Sequence, residues 1–223
     1  MVIAIDGPAG AGKGTITKLV AEKLNLVYID TGAMYRCVAL YALRNNIVDN
    51  SDKIIESLKD INIKFDENDN VYLNDENVSD EIRSKEVTSI VSPISTIIPV
   101  REELVNQQRK LALGLNVIME GRDITTVVFP NADYKFYLDA SVEERTRRRV
   151  KQNEEKGIFS DYEEIKQSII DRDYNDMHKD VGALMRTEDQ IYIDSTNMSI
   201  DEVVEFIIKR VGEVKWNIWV MMI

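Results

Sequence analysis

Histidine, cysteine and long apolar stretches are nearly missing from this sequence, and each shortage removes a class of function. Cys37 is the only cysteine, so no intramolecular disulfide can form and a reducing compartment is expected. His178 is the only histidine, and with a single cysteine beside it no zinc constellation can be assembled. Lacking a companion cysteine or carboxylate motif, His178 is given no catalytic role. No apolar run approaches the roughly 20 residues that span a bilayer, and no charged leader precedes one at the N-terminus. A soluble cytoplasmic protein without a membrane partner is expected. The apolar segment "KWNIWVMMI", residues 215–223, is too short to span. It reads as a stretch packed on the core or as an accident of the chain's end.

Positive charge is also in deficit. Lys and Arg total 28 against 39 Asp and Glu, a net charge of −11. Long-range repulsion then excludes a protein whose main task is to hold nucleic acid or anionic membrane nonspecifically. Local clusters of arginine stand out against this background. Internal repeats, low-complexity tracts and Pro- or Ser-rich linkers are absent too, so 223 residues suit one large domain or one domain carrying an insertion.

What is present is an alternation of short apolar runs with helical patterns. Residues 2–5, 26–29, 117–119, 134–138 and 190–193 read as buried strands. Strand, helix and strand repeated in this way predict an α/β fold, a parallel sheet covered by helices on both faces. Ser141 with Glu144, Ser160 with Glu163 and Ser199 with Glu202 have capping-box spacing, and Gly114 and Gly157 mark helix ends. The stretch "INIKFDENDNVYLNDENVSDEI" breaks the rhythm. Ile61, Ile63 and Phe65 alternate with polar residues before a polar turn, and Val71 and Leu73 follow it, the pattern of a small antiparallel hairpin insertion.

The strongest chemical signal is "IDGPAGAGKGT". Gly7, four residues, Gly12 and Lys13 have P-loop spacing, placed where a strand ends and a helix begins. A glycine-rich turn made only for tight packing would need neither the lysine nor the helix. In the P-loop reading Gly7, Pro8, Ala9, Gly10, Ala11, Gly12, Lys13, Gly14 and Thr15 form the nucleotide cradle. Backbone amides of residues 10–15 surround the β-phosphate, helped by the positive end of the helix. Lys13 lies between the β- and γ-phosphates, and the Thr15 hydroxyl is the Mg2+ contact. Gly14 departs from the commoner Ser or Thr, and "GKGT" is typical of nucleoside monophosphate kinases.

Two further segments carry cations in unusual places. On the helix after Ser141, Arg145, Arg148 and Arg149 share one face while Arg147 points away; a solvated charged face is the plain alternative. On the helix from residue 162 to 178, the apolar stripe of Ile165 and Ile169 continues as Arg172, Asp176 and Lys179. Charges on a buried stripe need partners or a ligand, although an Arg172–Asp176 surface pair would also fit. "EGRD", residues 120–123, and "DTGAMYR", residues 30–36, follow strands, where open α/β sheets present ligands.

These motifs, together with "VSDEIRSKEV", "EGRDITTVVFP" and "YLDASVEERTRRR", resemble the bacterial cytidylate kinases from residue 2 to about residue 210. The resemblance implies transfer of a phosphoryl group from ATP, with Mg2+, to CMP or dCMP. It implies a single kinase domain over residues 1–223, a P-loop core with a five-stranded sheet at about 1–58 and 82–223. A nucleotide-monophosphate insertion is implied at about 59–81 and a short lid at about 145–160. Lys13, Arg122 and Arg148 are then catalytic, with Arg145 and Arg149 on ATP. Arg36 and Arg122 serve the acceptor's phosphate, Arg172 and Asp176 its ribose and phosphate, and Lys179 its phosphate. Ser92, Arg101 and Asp123 read its base, and Thr31 and Tyr35 are further acceptor-binding residues. Lys179 stands where the family has arginine, which removes a bidentate fork. Glu120 stands where aspartate is common. A monomer is expected.

Two other readings stay open on these residues. One is a P-loop kinase for another small acceptor, such as UMP or shikimate. The other is an ATP-dependent switch or assembly protein. The second arginine set, Arg36, Arg101, Arg122 and Arg172, discriminates, because an acceptor phosphate and base require it and a simple switch does not.

Overall fold

A computed structural model of the chain describes residues 1–155 and 157–221, with side chains described through residue 212. The packing read for residues 215–223 therefore lies outside the described residues. From the N-terminus the elements are β1 (Val2–Asp6), α1 (Lys13–Leu24), β2 (Val27–Asp30), α2 (Thr31–Arg44) and α3 (Ser51–Ser57), followed by the short strands β3 (Ile63–Phe65), β4 (Val71–Leu73) and β5 (Glu76–Asn77). Next come α4 (Lys85–Ile94), α5 (Ile98–Leu111), β6 (Val117–Gly121), β7 (Tyr134–Asp139), α6 (Val142–Glu155), α7 (Tyr162–Met177), β8 (Ile191–Asp194) and α8 (Ile200–Met221).

The five apolar runs form one sheet in the order β2-β6-β1-β7-β8. β1 is central, paired in parallel with β6 and β7, and β7 pairs in parallel with β8. Ile3 and Ile5 of β1 with Phe136 and Leu138 of β7 point to one face, where Ile16 and Val20 of α1 and Val203 and Ile207 of α8 cover them. Ala4 and Met119, on the other face, are just as buried. Burial on both faces is why these strands read as unbroken apolar runs.

The chain divides into two compact units, Met1–Tyr28, Leu115–His178 and Ala183–Ile223 in one, Ile29–Gly114 and Lys179–Gly182 in the other. The second unit has its own core, in which Met34, Val38 and Leu40 of α2 meet Ile54, Ile82, Val87, Val100 and Leu104. Ile63, Val71 and Leu73 join that core, so the hairpin turns its alternate residues inward as the period-2 pattern predicts. The small sheet differs in having a third strand: β5 pairs antiparallel with β4 through Tyr72–Asn77 and Leu73–Glu76. Glu76 and Asn77 are both exposed, so no apolar alternation announces them.

Two of the three expected caps form. The Ser199 and Glu202 side chains each accept the other's backbone N–H, at 3.2 and 2.8 Å, a complete capping box. Ser141 Oγ accepts from Glu144 N at 3.2 Å. The third is displaced by one residue: Asp161, not Ser160, caps α7, its carboxylate accepting from Glu163 N and Glu164 N, while Ser160 Oγ accepts from Asn153 Nδ2. A carboxylate at a helix N-terminus also opposes the helix dipole, which the serine hydroxyl cannot do. Gly114 and Gly157 take φ of 73° and 70°, in keeping with helix ends.

Phe136 has no exposed surface and Phe159 is 94 % exposed. Phe136→Ala is expected to lower unfolding free energy by about 3–5 kcal/mol, and Phe159→Ala by less than about 0.5 kcal/mol, read from urea denaturation midpoints. Equal losses would contradict the packing described.

Candidate active site

The turn after β1 is shaped by a close approach. A Cβ on Gly7 would fall 2.0 Å from the Leu138 carbonyl oxygen, so nothing larger than glycine passes β7 there. Gly10 and Gly12 follow with φ of 79° and 90°, and Gly12 sits at the N-cap of α1. Lys13, the first residue of α1, is buried, and its ammonium donates to Gly7 O at 2.8 Å and Pro8 O at 2.9 Å. Burial, followed by the charge of Arg122, pulls its pKa down to about 7, although Glu120, Asp6 and Asp176 pull the other way. A buried cation in this position gains from an anion brought to it.

Gly14 has an equally local reason. A Cβ there would lie 3.1 Å from Glu120 Oε1 and 3.6 Å from the Tyr28 hydroxyl, which itself donates to Glu120 Oε1 at 3.2 Å. The Ser or Thr common after the lysine would crowd this carboxylate. Thr15 is exposed in the first turn of α1. Among the described residues no group of three or more His, Cys, Asp or Glu could hold a metal. The Thr15 hydroxyl and the Glu120 carboxylate beside the glycine-rich turn fit Mg2+, a hard cation that keeps waters and takes much of its coordination from substrate phosphates.

The α6 arginines diverge. Arg145 is buried: Nε donates to Ala140 O at 2.9 Å, and Nη1 reaches Ala9 O at 3.0 Å and Asp173 Oδ2 at 2.6 Å. Arg148 reaches Ala11 O at 3.4 Å, Ser195 O at 2.6 Å, Ser195 Oγ at 3.2 Å and Glu144 Oε1 at 3.0 Å. Both therefore brace carbonyls of the glycine-rich turn. Arg149 is exposed, with Nη1 on Gln152 Oε1 at 2.9 Å, and Arg147 pairs with Glu144 at the surface.

At the end of β6, Arg122 Nε donates to Asp176 Oδ2 at 2.7 Å, and Nη1 to Gly121 O at 3.3 Å. Asp176 is buried, so the charged end of the α7 stripe faces inward; Arg172 is half-buried. Asp123 is buried as well, and residues 124–128 form a π-turn in which Asp123 O accepts from both Val127 N and Val128 N. Asp6, which the sequence reading passed over, holds the start of that turn through Ile124 N and Thr125 N. His178 caps α7, its Nδ1 2.7 Å from Tyr174 O.

In the second unit Asp30 caps α2 by accepting from Ala33 N at 2.9 Å, and its other oxygen takes Arg36 Nη2 at 2.8 Å. Arg83, a residue of "VSDEIRSKEV" to which the sequence reading gave no role, lies 3.5 Å from the same oxygen. Thr31 and Tyr35 are buried on α2. The Arg101 guanidinium is 5.9 Å from the Tyr35 ring centroid and donates to Ser95 O at 3.2 Å. Ser95 Oγ accepts from Lys179 Nζ at 3.1 Å and donates to Ser92 O at 2.8 Å. Ser95 thus ties together three expected site residues, and only its place beside Ser92 in the sequence hinted at it.

The profile of the cytidylate kinase family matches residues 3–213 of this chain. The chain belongs to the cytidylate kinase family. A cytidylate kinase of Fusobacterium nucleatum is 47 % identical over 216 residues, covering 96 % of this chain and 99 % of that protein. One of Clostridium perfringens is 50 % identical over 206 residues, covering 92 % and 94 %. Among solved structures, an uncharacterized protein of Eubacterium ventriosum aligns with a TM-score of 0.55 at 12 % identity, covering 95 % of this chain and 98 % of that one, which speaks for the fold alone. No helix among the described residues is long and apolar enough to cross a membrane.

Lys13 titrates near 7 in the folded protein against 10.5 for an ordinary lysine. Between those values the unfolded chain binds more protons, so stability rises with pH from about 7 to about 10.5, and below pH 7 the full cost of the buried charge is present. Lys13→Met is expected to raise the thermal midpoint of the ligand-free protein at pH 6, with a smaller gain at pH 10. Calorimetry at both values checks this, and equal shifts would contradict it.

Proposed function

We propose that this protein transfers the γ-phosphoryl group of ATP to CMP and dCMP, giving ADP with CDP or dCDP, as a cytoplasmic monomer. The observation that carries the reading is the buried Lys13 ammonium, held on the Gly7 and Pro8 carbonyls at the mouth of a helix, with the Arg122–Asp176 pair among its nearest charges. Membership of the cytidylate kinase family supports the choice of acceptor.

In this mechanism an acceptor phosphate oxygen attacks the γ-phosphorus of ATP in line, and the bond from that phosphorus to the bridging oxygen breaks as ADP leaves. Amides of residues 10–15 hold the β-phosphate, and Lys13 neutralises charge between the β- and γ-phosphates. Arg122 and Arg36 orient the acceptor phosphate, and Arg148 bears on the transferring group while keeping the turn in place. Arg145 and Arg149 act on the ATP side, and Arg172, Asp176 and Lys179 on the acceptor's ribose and phosphate. Thr15 would hold Mg2+, which would supply positive charge to offset that of the phosphates. Residues 59–81 serve as the acceptor insertion and 145–160 as the lid, excluding water from the phosphoryl group.

Lys13→Ala is expected to lower turnover about 10³-fold at saturating ATP. Near-normal turnover would remove Lys13 from the mechanism.

Base choice follows from hydrogen-bond direction. Cytosine presents an exocyclic amine that Asp123 can accept from and ring acceptors to which Arg101 can donate, and Ser92 is the third base reader. Uracil would set a carbonyl against the carboxylate and an N–H against the guanidinium, leaving buried groups unpaired, a mismatch that can discriminate by about 10⁴-fold. ADP release measured with each nucleoside monophosphate in turn should show strong preference for CMP and dCMP over UMP, with AMP, GMP and shikimate inactive. Asp123→Ala should lose most CMP activity and narrow the CMP to UMP ratio. Equal proportional losses with both acceptors would make Asp123 a phosphate-side or structural residue. ADP release without any acceptor would favour the switch reading.

A further inference from the structure

Asp6 is fully buried at the end of β1, immediately before the glycine-rich turn, and its hydrogen bonds run to the turn that follows the neighbouring strand β6. Oδ1 accepts from Ile124 N at 2.8 Å, and Oδ2 accepts from Thr125 N at 2.9 Å and Thr125 Oγ1 at 2.5 Å. Thr125 Oγ1, while donating to Asp6, accepts from Gln190 Nε2 at 2.5 Å. Gln190 is itself buried, and its Oε1 accepts from Thr187 N at 2.8 Å. The result is a directional chain, Gln190 to Thr125 to Asp6, inside the protein.

A buried carboxylate is an expensive way to close a turn. Burial pushes the Asp6 pKa up to about 6, against the lowering effect of its Thr125 and Ile124 bonds. Asp123 adds like charge, while Lys13 is a nearby cation and the Tyr137 phenol a nearby titratable group. What the carboxylate supplies that an apolar residue cannot is direction. It accepts two successive amides at the head of the π-turn 124–128, so it sets the plane in which the chain leaves Arg122 and Asp123. Isolated π-turns recur at functional sites, where a wide turn re-aims side chains.

We propose that Asp6, acting through Thr125 and Gln190, is a positioning residue for the Arg122–Asp123 turn, fixing the acceptor-binding side chains without touching a ligand. This rests on the acceptor roles given above to Arg122 and Asp123. The chain also joins the two substrates' machinery covalently, since Asp6 leads directly into Gly7.

Thr125→Val keeps the volume and the amide but removes the hydroxyl link, and Thr125→Ser restores it. In Thr125→Val, KM for CMP should rise about tenfold, with KM for ATP within about twofold of the parent. The acid limb of kcat/KM for CMP should move to higher pH, because the hydroxyl bond is the strongest influence lowering the Asp6 pKa. Thr125→Ser should recover both, and Gln190→Leu should share the KM effect more weakly. Equal rises in the two KM values, an unmoved acid limb, or kinetics unchanged despite a lower thermal midpoint would each overturn the proposal. If the parent protein phosphorylates no nucleoside monophosphate, the functional reading falls separately. Amide exchange over residues 122–128 of the ligand-free protein then decides: faster exchange in Thr125→Val supports the positioning role, and unchanged exchange overturns it.

Discussion

Where β1 ends, the chain must pass flush against β7, with the Leu138 carbonyl oxygen 2.0 Å from where any Cβ at residue 7 would stand. That single contact forces glycine, and the positive φ of Gly10 and Gly12, 79° and 90°, then curls the backbone back instead of continuing the strand. The curl returns the Gly7 and Pro8 carbonyls to the Lys13 ammonium and starts α1 with its amides facing the cradle. Because β1 is the central strand, buried on both faces, the turn is anchored by the most protected part of the sheet. Arg145 and Arg148 then fasten its Ala9 and Ala11 carbonyls from α6.

The acidic balance of the chain matters for how the cations are kept. Two guanidiniums are set against carboxylates: the buried Arg145 against Asp173, and the half-buried Arg122 against Asp176. Such pairs add little net stability, because desolvation offsets much of their attraction, but each one holds a planar donor group in a defined direction. Polyphosphate chemistry needs that, since charge developing on the transferring group is stabilised by donors already in position. In the second unit, Asp30 does the same for Arg36 while also capping α2, so the helix start and the cation share one carboxylate.

Glu120 and Gly14 meet closely at the start of α1. Glu120 Oε1 lies 3.1 Å from the Gly14 Cβ position, and glycine leaves room for it and for the Tyr28 hydroxyl that donates to it.

Much was decided by the sequence itself. Continuous apolar runs are what a doubly covered parallel strand requires, so the five strands could be placed to within a residue or two at each end, and the spacing of Gly7 to Lys13 located the turn between β1 and α1. Local periodicity carried less further from the core. It puts Arg149 on the Arg145 face, yet a full turn along the axis, about 5.4 Å, leaves Arg149 exposed on Gln152. β5 lacked a signal because both its residues are exposed, and Asp161 displaced Ser160 as a cap because two capping residue types stood side by side. The tertiary structure alone decided the strand order, the pairing of Arg122 with Asp176, the bridge at Ser95 and the chain from Gln190 through Thr125 to Asp6. These join residues 54 to 119 positions apart, or side chains with no motif of their own. A hydrogen bond depends on where two backbones meet, and that meeting is set by the packing of whole elements rather than by the residues at its ends.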